Sequence, residues 1–129
     1  MISYNDIKKG GIALPKKSME ILTESMFYVL IAFCKRPMCG IDIAEEIERR
    51  TKGRLQIGPA TLYTILAKFE KESYIREIEV EGRKRTYCLT EKGRLAYETE
   101  LARLRRCVAD AEEEQNEQNG EKKGGVCEC

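Results

Sequence analysis

The sequence predicts a mainly α-helical domain with one small β-hairpin, and three observations predict it. Apolar residues recur at helical spacing in separate stretches between about 23 and 71; two short β-prone runs, 74–80 and 86–89, bracket a Glu81-Gly82 turn; and a long segment from Thr90 carries apolar residues alternately four and three apart. A chain of 129 residues suits one core of ordinary size with a tail. The expected organisation is an N-terminal arm over 1–17, a helix-and-hairpin domain over 18–89, a C-terminal helix over 90–114 and a disordered polar tail over 115–129.

In the arm, Gly10-Gly11 and Pro15 interrupt any helix. The first helix is expected from about Thr23 to Cys34: Thr23 is an N-cap residue, Glu24 suits the first turn, and Met26, Val29, Leu30 and Phe33 share a face. Pro37 closes it. Gly40 precedes a second helix, Ile41 to Arg50, with a narrow stripe of Ile43, Ala44 and Ile47. Arg54 to Ile57 is expected as a short strand within the connector that follows.

Pro59 sits where a third helix begins, since its missing N–H would be unpaired at the first position anyway. Leu62, Ile65, Leu66 and Phe69 then define a buried face. The free face holds Ala60, Thr61, Thr64, Ala67, Lys68 and Lys71, with Tyr63 at the border. Small, hydroxyl-bearing and basic, it meets no steric or electrostatic objection to entering a DNA major groove. The hairpin follows directly, and its Arg83-Lys84-Arg85 tip is suited to a phosphate backbone or a minor groove. Helix followed by basic hairpin is the working order of a winged helix-turn-helix. From Thr90 to about Glu114 the residues Tyr97, Leu101, Leu104, Val108 and Ala111 form a heptad seam too short for a stable isolated coiled coil, so it packs on its own domain or pairs with a second copy; pairing is the preferred reading.

The net charge of +1 conceals a division. From Asp110 onward there are 7 acids and 2 lysines, which leaves 21 basic and 15 acidic residues before it, a surplus of six positive charges facing a deficit of five. A basic body suits a polyanion partner. No run approaches the roughly 18 apolar residues of a membrane span, and no secretion signal is evident at the N-terminus, so a cytoplasmic location is expected, with the six cysteines as thiols. Histidine is absent and no Gly-rich phosphate loop occurs. Histidine-based nucleophile arrangements are thereby removed, and neither catalytic residues, cofactor nor metal are expected.

Gly58, Leu62, Tyr63 and Leu66, followed by Arg83 to Arg85, Tyr87, Leu89, Thr90 and Gly93, resemble the PadR family of bacterial transcription regulators over about residues 18–112. The resemblance implies a homodimeric repressor in which Ala60, Thr61, Tyr63, Thr64 and Lys68 face the major groove of double-stranded DNA while Arg83, Lys84 and Arg85 hold flanking backbone. Two such helices about a twofold axis would read a palindromic operator. A single long C-terminal helix is similar to that of the smaller PadR subgroup, where it forms most of the dimer interface. The chain has no Trp, so the flat aromatic drug site of some members is not implied; a small apolar effector stays open, with the seam around Tyr97 and Leu101 as its expected place. Two other readings remain beside the repressor. One is a protein-interaction winged helix using the same face, and the other a thiol- or metal-responsive regulator using Cys127-Glu128-Cys129, with or without Cys107.

Overall fold

The computed structural model describes residues 22–121; the arm over 1–17 and the end of the tail with Cys127 and Cys129 lie outside the described residues. The chain folds as α1 (Glu24–Lys35), β1 (Met38–Cys39), α2 (Gly40–Thr51), α3 (Pro59–Lys71), β2 (Ile75–Glu81), β3 (Lys84–Leu89) and α4 (Glu91–Glu121). The strands form one antiparallel sheet in the order β1-β3-β2. This is a winged helix-turn-helix followed by a long helix, as the sequence predicts.

Each helix starts and stops for a local reason. The Met26 amide donates to Thr23 Oγ1 at 3.1 Å, which caps α1. The last turn of α2 closes on Lys52 and Gly53, both at positive φ, with the Gly53 amide reaching the Glu48 carbonyl at 2.9 Å. Pro59 occupies the start of α3 behind an extended Gly58. The core is one cluster. Val29, Leu30 and Phe33 of α1, Ile43 and Ile47 of α2, and Leu62, Ile65, Leu66 and Phe69 of α3 close over Met38, Tyr74, Ile75 and Tyr87. The four α3 residues predicted to face inward all do so, which fixes the outward orientation of the rest of that helix.

The start of α4 explains two residues of the Leu-Thr-x-x-Gly motif. Thr90 Oγ1 donates to the Ser73 carbonyl at 2.6 Å and accepts from the Gly93 amide at 3.0 Å, tying the end of α3 to the start of α4. A Cβ at Gly93 would collide with the Tyr74 carbonyl. Glycine is therefore required there for close approach of backbone to backbone.

The structure corrects the sequence reading in two places. Residues 54–57 form no strand. Thr51 Oγ1 instead donates to the Ile47 carbonyl at 2.9 Å and accepts from the Leu55 amide at 3.1 Å, which holds the connector close to α2. The third strand is Met38–Cys39, whose partners Tyr87 and Thr86 are distant in sequence; two residues carry no periodicity to detect. The second correction concerns α4, which continues to Glu121 rather than ending near Glu114. Elongating an existing helix adds a hydrogen bond for each residue fixed, whereas nucleation is what costs, and Glu and Gln are good helix formers. The Gln118 amide also reaches Glu114 at 3.1 Å, one turn away. The segment 115–121, expected as part of a disordered tail, is thus helical.

Candidate nucleic-acid interface

Ala60, Thr61, Tyr63, Thr64 and Lys68 are all exposed along one side of α3. Tyr63, placed at the border by the sequence, keeps 64% of its surface and stands clear of the core. The Thr64 hydroxyl donates to the Ala60 carbonyl one turn back at 3.0 Å. Its donor is then satisfied within the helix, which leaves the oxygen's two lone pairs as acceptors for an outside donor.

Two hollows flank this ridge. One of about 430 Å³ lies against the start of α1 and is lined by Thr23, Ser25, Thr61, Thr64 and Lys68. The other, about 630 Å³, separates α3 from the hairpin and is bordered by Tyr63, Ala67, Glu70, Ile41, Arg83 and Arg85. The five α3 residues therefore do not form one uniform surface: Ala60, Thr61, Thr64 and Lys68 border the α1 side and Tyr63 the wing side. Ile41, 69% exposed at the start of α2, joins the wing side and was missed from sequence. Its position in an amphipathic helix gives no sign that it borders a neighbouring element.

The wing is shaped by one irregularity. Ile75 pairs with Leu89 and Glu77 with Tyr87, but Glu79 pairs with Thr86, so Ile78 is an extra residue in β2. The bulge shifts the alternation of β2 beyond it. It brings Val80 opposite Arg85, onto the face that Ile75 and Tyr87 share, while Ile78 and Val80 both stay about half exposed. Gly82 at φ +65 makes the turn.

The three tip cations are exposed but not equivalent. Arg85 Nη1 lies 3.4 Å from Glu77 Oε1, and the Tyr87 hydroxyl together with Glu77 raises the guanidinium's proton affinity further. Among the described residues, no carboxylate lies within ion-pair distance of Arg83, Lys84 or Lys68. At the α1–α2 contact, by contrast, three basic residues are engaged. Glu46, only 6% exposed, receives Lys35 Nζ at 3.2 Å, Arg49 Nη2 at 2.7 Å and Arg50 Nη2 at 2.8 Å. Burial pushes its carboxyl up, but the hydrogen bonds from Arg49, Lys35 and Arg50 outweigh that and bring the pKa down to about 2.

Along α4 the seam residues divide. The Tyr97 ring stacks on Phe27 of α1 with centroids 5.6 Å apart, and Leu101 and Leu104 are half-buried. Val108, at 54%, and Ala111 are exposed. Among the described residues no group of three or more acidic or cysteine ligands is placed to hold a metal, and no helix is long and apolar enough to cross a membrane.

Comparison with known proteins agrees with this architecture. The chain superposes on a transcriptional regulator from Clostridium thermocellum with TM-score 0.62 at 23% identity, covering 68% of this chain and 89% of that one. It also superposes on a PadR family transcription regulator from hypervirulent Clostridium difficile with TM-score 0.59 at 17% identity, covering 68% and 94%. At these identities the likeness concerns the fold. A protein encoded in a Streptomyces fradiae transposon is 38% identical over 84 residues, 63% of this chain, and this chain spans about a quarter, 24%, of that relative's length. The family model of the PadR-like transcriptional regulators matches residues 29–99, from the middle of α1 to the first turns of α4. That span holds α3, the wing and the Thr90–Gly93 junction, and the chain belongs to the PadR-like family of transcriptional regulators.

Proposed function

We propose that this protein is a sequence-specific DNA-binding repressor acting as a homodimer. The observation that carries the proposal is the exposed ridge of α3, free of acidic residues from Ala60 to Lys68, standing beside a hairpin tip whose Arg83 and Lys84 are unengaged among the described residues. The ridge enters the major groove, with Thr61, Thr64 and Lys68 on one side of the helix axis and Ala60 and Tyr63 completing the base-facing set. Arg83 and Lys84 take phosphates, with Arg85 supporting them. Tyr97, Leu101, Leu104, Val108 and Ala111 form the seam to the second copy, and twofold symmetry then implies a palindromic operator. A small apolar effector that enters between the Phe27–Tyr97 stack and the second copy is the form of release this seam supports.

Fluorescence anisotropy of labelled DNA from upstream of the protein's own gene tests the reading. Salt-sensitive binding well above that to random duplex is expected. Absence of binding at micromolar protein in low salt would favour use of the same ridge against another protein.

A further inference from the structure

The two hollows beside α3 differ in chemistry. Hydroxyls and Lys68 line the one against α1, whereas the one on the wing side is apolar where it meets the ridge. Ile41 and Tyr63 border it, both largely exposed, and Ala67, one turn along α3 from Tyr63, is exposed beside them. A Cβ at Gly40 would lie 3.6 Å from Tyr63 Cε1, so the start of α2 abuts that ring and Ile41 continues the same edge. Ile41 is not spent on the core, because α2 turns Ile43 and Ile47 inward. A lone exposed apolar side chain is ordinary, but these three form a shelf continuous with the α3 ridge.

Charge decides what can cover that shelf. Asp42 follows Ile41, and Glu70 lies one turn beyond Ala67; both line the hollow. On the opposite wall Arg85 is engaged by Glu77 at 3.4 Å, with Glu70 close enough to act on it as well. A phosphate entering here is drawn to Arg83 and Lys84 at the hairpin tip, while against Ile41 it would meet the Asp42 carboxylate, an unfavourable like-charge contact. The shelf therefore suits an uncharged apolar partner. On the major-groove edges of the base pairs, the group that meets this description is the 5-methyl of thymine.

We propose that Ile41, with Tyr63 and Ala67, reads a thymine: the shelf closes over the 5-methyl group of one thymine in each half-site, on the side of α3 nearest the wing. The inference rests on entry of α3 into the major groove. It adds a residue of α2 to the sequence-reading set and one base to the operator, and it gives Asp42 the role of keeping the phosphate strand on the hairpin side.

Selection of bound duplexes from a random-sequence pool by the full chain supplies both the operator and the test. Enriched duplexes are expected to carry a T·A pair at a fixed position that the Ile41→Ala chain no longer selects. Deoxyuridine lacks only the methyl group. Placed at that thymine in one half-site, it should weaken binding of the unmodified chain about fourfold, the worth of burying one methyl group. The same replacement should leave the affinity of the Ile41→Ala chain unchanged, and that chain should keep the salt slope of the unmodified one because no phosphate contact is lost. Equal weakening of Ile41→Ala on enriched and random duplexes, with deoxyuridine sensitivity retained, would show the side chain packing on a sugar; this overturns the thymine contact and leaves the DNA-binding reading standing. Insensitivity of every thymine to loss of its methyl would likewise overturn it. A pool that yields no enriched duplex would remove sequence-specific binding itself, and the contact with it.

Discussion

Two clusters of positive charge in this small domain have opposite fates. At the α1–α2 contact, Lys35, Arg49 and Arg50 converge on the buried Glu46, so their charge is used to hold two helices together. At the tip of the wing, Arg83 and Lys84 converge on nothing among the described residues, and their neighbour Arg85 is engaged only by Glu77 and Tyr87 of its own hairpin. Charge count alone does not distinguish them. What separates a structural cluster from an available one is a carboxylate at the centre, and only the first has it.

The contrast can be broken most severely at its buried end. Glu46→Ala removes the carboxylate on which three half-exposed cations converge, and a loss of about 2 kcal/mol in denaturant unfolding is expected once solvent screening of those cations is allowed for, with DNA affinity per folded molecule unchanged. A stability change under about 0.5 kcal/mol would mean that the cluster is not structural. On the ridge, Thr61→Ala and Tyr63→Ala are expected to alter the ranking of operator variants by about 1–2 kcal/mol, read by competition binding, while unfolding midpoints stay put. Equal losses on specific and random duplex would contradict a base-reading role.

Acid titration probes the same buried carboxylate more gently. Because its folded pKa of about 2 lies below the ordinary value of 4.5, Glu46 contributes stability that is full above pH 4.5 and is lost as pH falls from there towards 2. Allowing for screening of half-exposed partners, the loss is on the order of 1–2 kcal/mol. Glu46→Gln should flatten that part of the pH–stability profile, and an unchanged profile would assign the acid sensitivity elsewhere. The smallest effects belong to the wing. Arg83→Ala and Lys84→Ala should each lower the salt slope of DNA binding by about one without sequence preference, whereas Arg85→Ala should lower it by less because Glu77 already offsets its charge. An Arg85 effect equal to that of Arg83 would show that the Glu77 bridge opens on the duplex.

Much of this was legible in the residues. The i, i+3, i+4, i+7 pattern of Leu62, Ile65, Leu66 and Phe69 placed the buried face of α3 correctly, and therefore its free face, because periodicity is a local property. Thr23 and Pro59 marked helix starts for equally local reasons. Glu46 was not legible: in sequence it belongs to a polar run, and only the crossing of α1 over α2 brings Lys35 onto it. Nor was the division of the α3 ridge between two hollows, since that depends on where the wing and α1 stand. The family motif was visible as letters, but its Thr90 and Gly93 acquired a cause only when the Tyr74 carbonyl was found where a side chain would have been.

By itself the sequence determined which segments are helical, which face of each is apolar, where the hairpin turns and how charge is split between body and tail, because all of these follow from spacing along one chain. The tertiary structure decided which charges are consumed and which are available, how a bulge at Ile78 aims the wing, and how far α4 extends. Those outcomes depend on atoms far apart in sequence competing for the same space, or, for α4, on a helix already nucleated by its docking to the core.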